Sequence, residues 1–127
     1  MSFNVPEEFY YTKDHEWAQV DENVVTVGIT EYAQDTLGEV VYVELPEEGQ
    51  KVTQGEPFGV VESVKAASDL YAPAAGTVVA VNDALNNAPE TVNQSPYDGG
   101  WLLKLKLANP ADAGALLSPA DYEKLLG

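Results

Sequence analysis

Phe58-Gly59-Val60-Val61-Glu62-Ser63-Val64-Lys65-Ala66-Ala67-Ser68-Asp69-Leu70-Tyr71-Ala72-Pro73 is the stretch on which the fold turns. Two apolar runs, Phe58–Val61 and Leu70–Ala72, have strand composition and flank a short segment of small and polar residues centred on Lys65. A tight hairpin between two such strands exposes its tip, and Ser63, Ala66, Ala67 and Ser68 are too small to shield a lysine there. The nearest other lysines are Lys51 and Lys104, so Lys65 is locally isolated. From the residues alone, two readings stay open: a solvated turn cation, or an amine presented to a modifying enzyme.

Outward from this hairpin the chain reads mainly as β. Val24-Val25-Thr26-Val27-Gly28-Ile29 follows the turn-like Asp21-Glu22-Asn23; Val40-Val41-Tyr42-Val43 ends at Leu45-Pro46; Val78-Val79-Ala80-Val81 ends at Asn82-Asp83. In Trp101–Leu107 the pattern places Trp101, Leu103, Leu105 and Leu107 on one face, with Lys104 and Lys106 on the other. Short strands separated by Gly and Pro predict a sandwich or barrel. Gly38-Glu39-Val40-Val41-Tyr42-Val43 is echoed by Gly76-Thr77-Val78-Val79-Ala80-Val81, with four of six positions identical. Two pseudo-equivalent half-sheets with the Lys65 segment between them give such an echo. Three helices are announced by caps: Thr30 before Glu31, ending at Gly38; Asn109-Pro110 with Asp112 at the capping-box position; and Ser118-Pro119 with Asp121, predicting a last helix from Pro119 to about Leu126 that can bury Leu125 and Leu126.

Charge bounds the partners. Among 127 residues there are six Lys, no Arg and 21 Asp and Glu, a net charge of −15. Phosphate backbones and anionic membrane surfaces are repelled, so nucleic acid and membrane are expected to be absent from the partners. Such an excess keeps a small protein soluble and monomeric, and it can also steer docking onto basic protein faces. No apolar run is long enough for a transmembrane span. With no cysteine, disulfides, thiolate metal sites and cysteine nucleophiles are excluded. The residues after Met1 form no secretory signal, and an arginine-free chain does not read as a transit peptide. The expected location is a bacterial cytoplasm, with the mature form of a mitochondrial matrix protein as the alternative.

Nothing points to an autonomous catalyst. The one histidine, His15 in Asp14-His15-Glu16-Trp17, has acidic neighbours, but adjacent strand residues point to opposite faces and form no site by adjacency. A single His without Cys is a poor metal set, so no metal is expected and His15 reads as a packing or surface residue. No nucleophile elbow, P-loop or dinucleotide fingerprint is present.

Glu62–Pro73, ESVKAASDLYAP, resembles the lipoylation hairpin of glycine cleavage H proteins. So do Tyr11–Trp17, Val27–Gln34, Gly38–Pro46, and Ser95-Pro96-Tyr97 followed by Gly100-Trp101-Leu102, in order and over nearly the whole chain. The resemblance implies a single lipoyl-carrier domain over 1–127, of the barrel-sandwich hybrid type, mainly β, with a short inserted helix and C-terminal helices. It implies lipoate in amide linkage on Lys65, within the hairpin residues Glu62, Ser63, Val64 and Ala66. It also implies a shuttle role. A pyridoxal-phosphate glycine decarboxylase loads an aminomethyl group, a folate-dependent aminomethyltransferase removes it, and dihydrolipoyl dehydrogenase reoxidises the dithiol; lipoate-attaching enzymes are further partners. Val64 and Ala66 flank Lys65 where biotin carriers usually place methionines. Family resemblance further suggests a cleft that holds the loaded arm, with Glu16 as its acidic wall and Asp69 near the hairpin base. Where some members carry His in the first helix, this chain has Thr36. Two rival roles remain beside the shuttle: a lipoate donor or relay for other lipoyl enzymes, and an interaction module with unmodified Lys65.

Overall fold

The structure, a computed structural model, describes residues 4–126, apart from the side chains of Asp112 and Ala115. The capping-box role expected of Asp112 therefore lies outside the described residues. Among the described residues nine strands make two antiparallel sheets. The larger sheet contains β1 (Tyr10–Tyr11), β2 (Glu16–Asp21), β3 (Val24–Ile29), β5 (Lys51–Val52), β8 (Gly76–Val81) and β9 (Leu103–Leu107), in the order β1-β2-β3-β9-β8-β5. The smaller contains β4 (Val40–Glu44), β6 (Pro57–Ser63) and β7 (Ala67–Tyr71), in the order β4-β6-β7. Three α-helices connect and follow them: α1 (Glu31–Leu37), α2 (Thr91–Gln94) and α3 (Pro119–Leu126).

The main core is aliphatic and drawn from both sheets, with Val25, Val27 and Leu105 from the larger meeting Val43, Val61 and Leu70 from the smaller. β9 shows why alternation was readable. Leu103, Leu105 and Leu107 are buried and Lys104 and Lys106 exposed, so one face lies on the core and the other in water. Trp101 departs from the expected pattern. It precedes the strand, is half-buried, and joins a second, aromatic core of Phe9, Tyr11, Trp17 and Tyr122.

The internal echo is structural. β4 lies in the smaller sheet and β8 in the larger, and each carries a register irregularity at the same place in the repeat. Pairing of β4 with β6 shifts between Val40 and Tyr42; that of β8 with β9 shifts between Val78 and Ala80. The equivalent residues Val41 and Val79 are both exposed, as the extra residue of a bulge leaves the inside–outside alternation.

Helix expectations fare unevenly. α1 is capped as read: Thr30 Oγ1 accepts from the Ala33 N–H at 3.2 Å, and Gly38 ends the helix at φ +85°. Asn109 also caps, accepting from the Ala111 N–H at 3.2 Å, but Pro110–Ala115 forms a 3-10 helix rather than an α-helix. The segment is one short run containing Gly114, before the chain turns extended at Leu116. α3 has the expected bounds, yet Leu125 is exposed. Tyr122 and Leu126, four residues apart, share the buried face, and Leu125 is turned away from it. α2 and the 3-10 turn Asp83–Asn86 were not anticipated; four residues are too few to show helical periodicity.

Gly28 is fixed by an aromatic neighbour. It pairs with Trp17 across β2 and β3, and a Cβ there would lie 2.5 Å from the indole. That indole stacks on Phe9 at 4.7 Å and donates through Nε1 to the Pro96 carbonyl at 2.7 Å, so it is held in place. Gly28→Ala is expected to lower stability by about 2 kcal/mol or more, the cost of overpacking a fixed site. Chemical denaturation measures it, and a midpoint equal to the parent's would show that the indole can move.

Candidate functional site

β6 and β7 pair with Glu62 opposite Ala67, so Val64-Lys65-Ala66 is the whole connection between them. Its backbone is pinned by Ser63. The Ser63 N–H donates to the Ala66 carbonyl at 2.8 Å, and the N–H groups of Lys65 and Ala66 donate to Ser63 Oγ at 3.3 and 3.1 Å. The Val64 N–H donates to the Glu39 carbonyl at 3.0 Å, tying the tip to the start of β4. Lys65 is exposed at this tip, as its small neighbours predicted. Its aliphatic stem passes over Gly38, where a Cβ would come within 3.3 Å of Lys65 Cε.

Beside the tip lies a cleft of about 300 Å³. One wall is Asp14, His15 and Glu16 at the entry to β2; the second is Ala33, Thr36 and Leu37 of α1; the third is Ala66–Leu70 of the hairpin. Ile29 and Val61 also line it. The cleft brings together Glu16, Asp69 and Ala66, three of the residues singled out from sequence. Glu62, Ser63 and Val64 do not line it. Ser63 is the buried staple of the hairpin, Glu62 is half-buried on β6, and Val64 is 67% exposed, the most open of the large apolar side chains described. Asp69 is exposed on the edge strand β7.

Glu16 differs from every other acid singled out, because it is 2% exposed. Thr12 Oγ1 donates to its Oε1 at 3.0 Å, and the Tyr71 N–H donates to its Oε2 at 2.8 Å. Burial pushes its carboxyl up to about 8, against the pull of the Tyr71 and Thr12 hydrogen bonds and with a further push from Asp14. At neutral pH the group is thus mostly a neutral acid. His15 packs its ring against Tyr32 at 4.6 Å and against Tyr122 at 5.7 Å, and burial lowers its pKa, opposed by Asp14. It is a packing histidine, as expected, and it also lines the cleft. Thr12 and the Tyr71 N–H, which complete the Glu16 site, had no signal in the sequence: one depends on a turn, the other on strand placement.

The family model for glycine cleavage H-protein matches residues 9–127. The chain belongs to the glycine cleavage H-protein family. It is 62% identical to the glycine cleavage system H protein of Opitutus terrae, over 98% of each chain. It is 52% identical to that of Carboxydothermus hydrogenoformans, over 96% of this chain and 94% of the relative. A crystal structure of a glycine cleavage system H protein from Mycobacterium marinum superposes with a TM-score of 0.89 at 41% identity, covering 96% of this chain and 98% of that one. As an H protein the chain is the lipoyl shuttle of the glycine cleavage system, a cofactor-carrying component rather than a catalyst. The two-sheet architecture agrees with the barrel-sandwich hybrid expected from sequence.

Proposed function

We propose that Lys65 carries lipoate in amide linkage, and that the cleft walled by Glu16 and Asp69 shelters the loaded arm between partner enzymes. The observation that carries this reading is the placement of an exposed lysine on a pinned three-residue tip, whose next residues, Ala66 and Ala67, already line the cleft. The residues fit the group. Ile29, Ala33, Leu37, Val61 and Leu70 offer an apolar bed for an aliphatic chain, and the one deeply buried carboxyl among the lining residues lies at its wall. When bound, lipoate supplies a dithiolane on a long flexible arm, able to take up the aminomethyl cargo and electrons.

The chain's own residues present and protect. Ser63 fixes the hairpin, Gly38 lets the lysine stem pass, and the apolar walls exclude water. Glu16 supports the cargo's ammonium. In the absence of a cation its carboxyl holds a proton; an ammonium beside it favours the anion and releases that proton. On this reading the whole chain, 1–127, is one lipoyl-carrier domain acting as a monomer. Its partners are the pyridoxal-phosphate glycine decarboxylase, the folate-dependent aminomethyltransferase, dihydrolipoyl dehydrogenase and the lipoate-attaching enzymes. The bacterial cytoplasm is its compartment, in keeping with its bacterial relatives and with the lack, among the described residues, of any helix long and apolar enough to cross a membrane.

Incubation with a lipoate-attaching enzyme and lipoate is expected to add one lipoyl group, which peptide mapping locates on Lys65. An adduct on another lysine, or none, overturns the assignment.

A further inference from the structure

Two of the three walls of the cleft are joined from behind by the hydroxyl of one tyrosine. Tyr122 of α3 is fully buried, stacked on Tyr11 at 4.7 Å and 10°. Its Oη lies 2.9 Å from His15 Nδ1 and 2.8 Å from Thr30 Oγ1. His15 belongs to the wall that carries Glu16; Thr30 is the N-cap of α1, which forms the opposite wall. The Thr30 N–H also donates to the His15 carbonyl at 3.0 Å. Tyr122 itself does not line the cleft.

The protons on this bridge have one arrangement that leaves none unused. Thr30 Oγ1 already accepts from the Ala33 N–H, so its own proton is free to donate to Tyr122 Oη, and Tyr122 then donates to an unprotonated His15 Nδ1. If Nδ1 carried the proton, the chain would run the other way and strand the hydroxyl proton of Thr30, which is fully buried. Burial pushes the Tyr122 phenol up to about 12, which keeps it a donor, and holds His15 neutral near pH 7. The tie also explains a strained residue. His15 sits at φ +67°, an unusual conformation for a residue other than glycine, and its ring and carbonyl are gripped by Tyr122 and Thr30.

We propose that Tyr122 is a positioning residue: through the relay Thr30–Tyr122–His15 it fixes the separation of the cleft walls, and so sets how long the loaded arm is protected. This rests on the reading that the arm lies in the Glu16 cleft. The first test needs only the unmodified parent protein. His15 is the single histidine, so its ring nitrogens give one set of ¹⁵N NMR signals. The proton is expected on Nε2; a proton on Nδ1 overturns the relay. In Tyr122→Phe, which keeps the stack on Tyr11, the histidine pKa is expected to rise, because a donor to the neutral ring is gone. On lipoylated, loaded protein the same variant is expected to release formaldehyde and ammonia roughly threefold to tenfold faster, the equivalent of one lost neutral hydrogen bond. An unchanged histidine titration, or release at the parent's rate, overturns the proposal alone. If the loaded parent releases its cargo as fast as a loaded free lipoamide, the sheltering cleft fails too, and both readings fall together.

Discussion

Lys65→Arg is expected to abolish shuttle function and to leave the fold intact. Arginine keeps the positive charge, but its delocalised guanidinium offers no amine for the lipoyl amide. The site tolerates the change structurally. Lys65 is exposed, its backbone is held by Ser63 rather than by its own side chain, and its stem rests over Gly38 without a Cβ in the way. The stability change should stay within about half a kcal/mol, as for other surface substitutions. Glycine cleavage reconstituted from the partner enzymes should fall to background with this variant, while its melting curve overlays that of the parent. Turnover near the parental rate would remove Lys65 from the centre of the function.

Glu16→Gln is expected to remove the pH dependence of stability that the buried acid imposes. Its carboxyl titrates near 4.5 in the unfolded chain and at about 8 in the fold, so between these values the folded state holds a proton that the unfolded state has lost. A group raised in this way weakens the fold as pH rises, since the unfolded state binds fewer protons across the window. Glutamine resembles the protonated acid in shape and hydrogen bonding and does not titrate. The parent should therefore lose stability relative to the variant between about pH 4.5 and about pH 8, by roughly 2 kcal/mol or more. Denaturant melts at several pH values read this directly, and parallel curves would mean that Glu16 ionises freely. The loaded variant should also release formaldehyde and ammonia faster than the loaded parent, with lipoylation of Lys65 unchanged, because no anion can form opposite the cargo's ammonium.

Local rules carried much of the architecture. The alternation in Leu103–Leu107, the caps at Thr30 and Ser118 and the hairpin around Lys65 depend on neighbours within a few residues, and all stand in the structure. The echo between the segments beginning at Gly38 and Gly76 was visible as letters, and its matching irregularities at Val41 and Val79 were not, because a bulge is defined by the partner strand. The burial of Glu16 was equally hidden. Among 21 acidic residues nothing marks it until β7 places the Tyr71 N–H and the turn places Thr12 against it. Leu125 was misjudged because the buried face of α3 is set by Tyr122, whose hydrogen-bond partners His15 and Thr30 lie 107 and 92 residues away in sequence.

The pinned tip bears on how tightly the cleft needs to bind. With the backbone from Ser63 to Ala66 held by four hydrogen bonds, the root of the arm proposed for Lys65 stays at one point beside the cleft mouth. A group tethered so close to its site experiences an effective concentration on the order of millimolar. An intrinsic dissociation constant about tenfold lower, on the order of 0.1 mM, is then enough to keep the arm docked about nine-tenths of the time and so to slow loss of the cargo up to about tenfold. Greater affinity would add protection in proportion, but it would slow surrender to each partner by the same factor. On the proposed reading, a fixed pivot and a modest grip thus form one design, in which proximity makes up for weak binding.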